Sequence, residues 1–282
     1  MSTKALSAKP GPLRAILGSL ATLYERRWLV KYMAQREISR GYRGSHLGLV
    51  WSFVSPLLMV ILLTVIFSKV LGFRYREVQG DSSLNYGLYL YCGLTPFLTY
   101  SQAVSQGMNV IRTNRNLVQG VVFPLEILPV STVIASLIQS VFGIGALMVV
   151  LVVLEHRLYW TVLLLPLIFV PQLLFTVGLC NLTAIVGAYA PDVRASLTAV
   201  LQRVSFFITP IIWPVSKVPE HWRFLVDYNP LAVLVEAYRG LILEGKLPFG
   251  MHYGYFFLFS LALFVLGILL FNRVKHNFAD LI

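Results

Sequence analysis

Long intervals without a single Asp, Glu, Lys or Arg constrain this chain more than any motif does. Residues 44–68, 82–111, 127–154, 158–191 and 247–272 carry none, and 195–215 carries only Arg203. A helix crossing the hydrocarbon core of a bilayer needs about 20 mostly apolar residues, because each residue rises about 1.5 Å across a core about 30 Å thick. Six such intervals predict an all-α integral membrane protein with six transmembrane helices. Of the 282 residues, 57% are hydrophobic and only 12% charged, about half the charge that covers an ordinary water-soluble domain. The first 43 residues are rich in charge and precede the first interval, with no small-residue cleavage pattern, so the first span is expected to remain in the mature protein rather than act as a signal peptide.

The net charge of +11 is distributed as topology rather than gathered on a soluble nucleic-acid module. Nine basic residues (Lys4, Lys9, Arg14, Arg26, Arg27, Lys31, Arg36, Arg40 and Arg43) precede the first span, which marks that end as cytoplasmic under the positive-inside rule. Six crossings then give the cytoplasmic segments 14 Lys and Arg and the outer segments eight. Both termini are expected inside. The expected organisation is one domain over 1–282, with a cytoplasmic tail and interface helix over 1–45, a six-helix membrane domain over 46–271 and a cytoplasmic tail over 272–282.

Between the charge-free intervals the chain is locally legible. Pro12 suits the first turn of a helix, where its missing N–H has no partner to lose. Leu13, Ile16, Leu17, Leu20, Leu23 and Tyr24 follow at spacings of three and four, the pattern of an amphipathic helix lying along the inner membrane face. Pro56 falls within the first span, a position tolerated where neighbouring helices satisfy the freed carbonyl. Residues 112–126 form a cytoplasmic connection. Residues 214–246, interrupted by Pro214, Pro219 and Pro230, read as two short helices, roughly 220–228 and 231–243. In the second of these, Leu231, Leu234, Val235, Tyr238 and Leu241 share a face and Glu236 and Arg239 stand three apart, close enough to pair. A half-polar helix pair between two spans suits an outer re-entrant or interfacial element.

The sequence contains no phosphate-binding Gly-x-x-x-x-Gly-Lys-Ser/Thr loop, no His-Glu-x-x-His and no Gly-x-Ser-x-Gly, so no catalytic or metal-ligating residue is singled out. Cys92 and Cys180 both fall inside spans and read as small buried hydrophobes.

Several motifs in order along the chain resemble the polysaccharide branch of the type-2 ABC exporter permeases, the membrane subunits that move capsule, O-antigen and teichoic-acid chains. They are Arg40-Gly-Tyr-Arg-Gly-Ser-His-Leu-Gly-Leu-Val-Trp-Ser followed by Pro56, Gly93-Leu-Thr-Pro-Phe, Asn116-Leu-Val with Phe123-Pro-Leu-Glu-Ile-Leu-Pro129, Asp192-Val-Arg, Pro210-Ile-Ile-Trp-Pro, and Val218-Pro-Glu-His-Trp-Arg with Asn229-Pro230. The chain departs from the family's habit at Gln119, Gly120 and Leu125, where basic residues are common. The resemblance implies a homodimer in the cell inner membrane, paired with two copies of a separate ATP-binding subunit that holds the ATP and Mg; no cofactor is expected on this chain.

On that resemblance, Arg36, Glu37, Arg40, Arg43, Arg112, Arg115, Asn116 and Glu126 are candidates for docking the ATPase, against the alternative that the basic residues meet anionic lipid headgroups. Trp51, Tyr86, Tyr89, Phe97 and Tyr100 are candidates for an aromatic-lined substrate path, because sugar rings present C–H faces to aromatic rings; the alternative is core packing or an interfacial belt. Arg203 is open between function and snorkelling. Two other functions remain in view: a permease of the same superfamily for a small drug or lipid, and a multi-pass enzyme acting on lipid-linked sugars. The second predicts acidic residues gathered at one membrane face, whereas the twelve here are dispersed.

Overall fold

The computed structural model describes residues 12–42, 48–75, 84–120 and 123–281. The described chain is helical apart from one two-residue antiparallel pair, Arg74–Tyr75 with Leu84–Asn85. Helix α1 (Pro12–Glu25) and α2 (Arg27–Arg40) precede α3 (Trp51–Leu63), which continues as a π-helical turn over Thr64–Val70. Helix α4 (Tyr86–Thr113) leads through the short α5 (Arg115–Gly120) to α6 (Ile127–Glu155), and a 3₁₀ segment at Trp160–Leu164 opens α7 (Leu165–Tyr189). After α8 (Arg194–Ile208) come short turns, α9 (Phe224–Asp227), α10 (Pro230–Arg239) with a π-helical end at Gly240–Glu244, then α11 (Met251–Val274) and α12 (Phe278–Leu281).

Among the described residues, four helical stretches are long and apolar enough to cross a membrane: Trp51–Val70, Ile127–Glu155, Trp160–Tyr189 and Met251–Leu281. The other two charge-free intervals behave differently, each for a physical reason. Helix α4 has the length, at 28 residues, but carries Thr, Ser, Gln and Asn along its course. It is the central helix, with most of its residues from Gly87 to Ile111 buried, so neighbouring helices rather than lipid meet its polar groups. Helix α8 spans 15 residues before Thr209 and Pro210 end it, about 22 Å at 1.5 Å per residue. None of its residues is buried, and Arg203 is exposed upon it.

Packing divides the core into two ends. One cluster joins α3, α4, α6, α7, α10 and α11 around Leu88, Tyr89, Leu147, Tyr238 and Phe256. A second gathers Val30 and Met33 of α2, Ile111 of α4, Ile127 of α6, Phe271 of α11 and Phe278 of α12. Helices α7 and α11 approach so closely that a Cβ on Gly267 would lie 2.6 Å from the Gly178 carbonyl oxygen. Glycine at that crossing lets two backbones touch, the means by which helices associate where no hydrophobic driving force separates lipid from side chain.

The expected amphipathic helix begins at Pro12, and its apolar face (Leu13, Leu17, Leu20 and Tyr24) is exposed. At the opposite end of the bundle, the two helices expected over 214–246 are present as α9 and α10 with flanking turns. Leu231, Leu234, Val235, Tyr238 and Leu241, which share a face by their spacing, are all buried.

Candidate functional site

The most unusual group in the bundle is Arg239, at the end of α10. Its side chain is 1% exposed and is the largest fully buried one in the described chain. An arginine has five N–H donors and no acceptor, and removing its charge from water is costly unless each donor is met. One terminal nitrogen, Nη1, donates to the Pro210 carbonyl at 2.6 Å and to Glu236 Oε1 at 2.8 Å; the other, Nη2, donates to the Ile211 carbonyl at 2.8 Å. The guanidinium carbon lies 3.6 Å from the centre of the Tyr89 ring, within the range of a cation–π contact. Nε has no hydrogen-bond partner among the described residues.

Local sequence builds this junction. Asn229 caps α10 by accepting the Leu231 N–H, and Pro230 follows at the first turn. Pro210 and Pro214 break the chain after α8, exposing backbone carbonyls to a donor. Gly93 of α4 leaves room for the guanidinium, since a Cβ there would lie 2.6 Å from Nη2. The expected Glu236–Arg239 pair forms, but it is one strand of a larger tie: Arg239 fastens α10 to the break after α8 and to α4. Sequence spacing indicated the pair and not the carbonyls, which come from residues 28 and 29 positions away. A second buried contact, Tyr238 to Gln172, joins α10 to α7 and had no local signal.

The aromatic set on α4 lies against this junction. Tyr89, Phe97 and Tyr100 are buried, and Tyr86 is half-buried. Tyr86 stacks on Tyr89 and donates to the Ile212 carbonyl. Phe97 meets the Phe206 ring at 5.3 Å, and Tyr100 shares a hydrogen bond of 2.8 Å with Ser205. This face therefore holds α8 and α10 on α4 within a single chain. Trp51, at the start of α3, is half-buried.

At the other end the structure brings α1, α5, Glu126 and the C-terminal tail together. Asn272 of α11 donates to Ser19 of α1 at 2.7 Å, Lys275 pairs with Glu126 at 2.7 Å, Gln119 donates to the Ala279 carbonyl at 3.3 Å, and Asn277 donates to Tyr189 at 3.2 Å. Arg36, Arg40, Arg112, Arg115 and Asn116 are exposed here, while Glu37 is half-buried. Glu37 faces Arg40 at 3.9 Å, and Arg115 donates to Gln119 at 2.9 Å. Glu126 differs from its companions. Its carboxylate is mostly covered and engaged with Lys275, so it ties the connection to the C-terminal tail. Arg43 lies outside the described residues.

The sequence model of the ABC-2 type transporter family matches residues 29–243, from α2 through the π-helical end of α10. The chain belongs to that family. The ABC-2 match spans both the Arg239 junction and the surface carrying Arg36, Arg40, Arg112 and Arg115. Curated relatives extend the likeness further along the chain. The O-antigen export system permease protein RfbA of Myxococcus xanthus is 28% identical over 228 residues, covering 80% of this chain and 84% of that protein. RfbA of Klebsiella pneumoniae is 25% identical over 90% of this chain and 95% of its own length. The polysialic acid transport protein KpsM of Escherichia coli is 23% identical over 86% of this chain and 92% of its own. These relatives carry the names of permease and transport proteins.

Proposed function

We propose that this chain is the transmembrane permease subunit of an ATP-driven exporter that moves cell-surface polysaccharide across the cytoplasmic membrane. The observation that carries the reading is the likeness, over nearly the whole chain, to permeases whose names specify O-antigen export and polysialic acid transport. The subunit works as a homodimer in the inner membrane with two ATPase subunits, which hold the ATP and Mg. Six crossings place both termini in the cytoplasm, with α4 as the second and α8, continued by the irregular chain after Thr209, as the fifth. The excess of Lys and Arg before the first span supports that orientation, and so does the convergence of α1, the 112–126 connection and the C-terminal tail at one end.

In this reading α1 lies along the inner membrane face, turning its exposed Leu13, Leu17, Leu20 and Tyr24 to lipid. The exposed Arg36, Arg40, Arg112, Arg115 and Asn116, with Glu37 and Arg43, meet the ATPase. Arg112 lies within α4, and α2 packs on α6 through Ala34, Ile38 and Ala135, so a displacement imposed by nucleotide-driven closure passes into the bundle along these two helices.

The test is replacement of the O-antigen permease in a host strain by this chain together with its own ATPase partner. Surface glycan is expected to return, and the two proteins are expected to co-purify in equal numbers. Co-purification without glycan export, accompanied by extrusion of a small amphiphile, would overturn the substrate assignment.

A further inference from the structure

Three rows of side chains, each spaced by four residues, run side by side where α2 lies against α6. Val30, Ala34 and Ile38 form one row on α2, Arg27, Lys31 and Gln35 form the next, and Val130, Ile134 and Ile138 line the facing side of α6. A spacing of four keeps each row on one face of its helix, and at 1.5 Å per residue each row is about 12 Å long. Between them opens a groove of about 670 Å³, whose wall is completed by Leu23 and Tyr24 at the end of α1. That volume lies in the range of sites for small organic molecules, about 300–1,000 Å³. The floor is apolar: Val30, Ala34 and Ile38 are buried, and Ala34 and Ile38 pack on α6 beside Ile134 and Ala135.

The rim is cationic. Arg27 and Lys31 stand one helical turn apart and are exposed, and no Asp or Glu lines the groove. Among the described residues neither has an acidic partner, whereas Arg40, Arg239, Lys246 and Lys275 each face a carboxylate. Arg27 lies 5.1 Å from the centre of the Tyr24 ring, a contact through the guanidinium face that keeps its in-plane N–H donors available. Trp28 and Tyr32, on the next row round α2, are both exposed, as amphipathic rings at headgroup level are. Two cations without carboxylates above an apolar groove complement a ligand with one anionic head and an apolar tail. Besides them the rim offers one amide, Gln35, which suits a small headgroup rather than a glycan. The groove follows α6 as far as Ile138, about 16 Å along a span that starts at Ile127. A water-soluble partner has no tail to place at that depth.

We infer that the groove between α2 and α6 binds one anionic glycerophospholipid of the inner leaflet, its phosphate held between Arg27 and Lys31 and an acyl chain laid along Val130, Ile134 and Ile138. The leaflet rests on the proposed orientation, which sets the start of α6 at the cytoplasmic face; the site itself does not. An arginine fork meets two phosphate oxygens at once and a lysine adds a point charge beside it. The acyl chain covers the apolar wall and fills the space between the two helices. The lipid thereby braces α2, which carries Arg36, Glu37 and Arg40, against a membrane span. It is a bound component of the permease and not its cargo.

The experiment uses the full chain, in the complex in which it purifies, reconstituted in phosphatidylcholine vesicles. A small fraction of the lipid is phosphatidylglycerol or phosphatidylcholine bearing a photoactivatable group in one acyl chain, and adducts are mapped by peptide mass spectrometry. The anionic probe is expected to mark the α6 peptide around Ile134 and Ile138 at a far lower mole fraction than the neutral one. R27Q/K31Q should remove that preference, about fivefold for each cation. I138W, which obstructs the groove and keeps both cations, should lower the adducts from both probes. Equal labelling by the two probes would mean ordinary boundary lipid, and absence of labelling would mean that a second copy of the chain or another protein covers the groove. Displacement of the anionic probe by a polyprenyl phosphate but not by unlabelled phosphatidylglycerol would assign the groove to a carrier of cargo. Each of these overturns the site, and a preference that survives R27Q/K31Q overturns the role of the two cations. None of these measurements depends on export. Failure of the wild-type chain to restore surface glycan defeats the export reading and leaves the lipid site standing.

Discussion

Replacing Arg239 by Met tests the reasoning about the buried junction most directly. The substitution keeps much of the apolar stem and removes every donor. Two carbonyls, Pro210 and Ile211, lose partners at 2.6 and 2.8 Å, and an unpaired buried acceptor costs about 1–3 kcal/mol. Glu236 loses its partner too, but its side chain is 42% exposed and water replaces the lost contact. The total falls in the range of about 3–5 kcal/mol seen when one member of a buried ionic cluster is deleted. E236Q should cost far less, about 1 kcal/mol or below, because a half-exposed carboxylate gives up a screened interaction. The assay is thermal or denaturant unfolding of the detergent-solubilised protein, followed by the fraction remaining monodisperse. R239M is expected to be strongly destabilised, R239K intermediate because a single ammonium cannot span both carbonyls and Glu236, and E236Q near wild type. An R239M protein as stable as E236Q would refute the claim that the arginine ties α10 to the break after α8.

Two further outcomes follow from packing and topology. G267V introduces side-chain atoms where a Cβ alone would lie 2.6 Å from the Gly178 carbonyl oxygen, so it should cost at least about 1–3 kcal/mol and reduce folded protein in membranes measured by quantitative blotting. A cysteine at the exposed Arg115 position, read against the two buried native cysteines, should resist an impermeant thiol reagent added outside intact cells and react once the membrane is opened; reaction from outside would reverse the proposed orientation.

The membrane character of this protein was legible because it depends on one-dimensional quantities: the lengths of charge-free intervals, the basic residues before the first span, and prolines at element boundaries. The short helices of residues 214–246, their buried face and the Glu236–Arg239 pair were also within reach, since all are set by spacing inside one helix. Apolarity was less informative for α4, whose polar residues are sheltered by other helices, and interval length overstated α8, which stops at Thr209. The neighbours of the aromatic face of α4 were decided only in three dimensions. A string of tyrosines reads equally as packing or path, and the structure buries Tyr89, Phe97 and Tyr100 beneath α8 and Arg239. Likewise Glu126 reads from sequence as one more charge on a docking loop until Lys275, 149 positions later, closes on it. Hydropathy and helical periodicity are properties of neighbours along the chain, whereas the partner of a buried charge or an open hydroxyl is chosen by contacts between distant helices, and no local pattern encodes that choice.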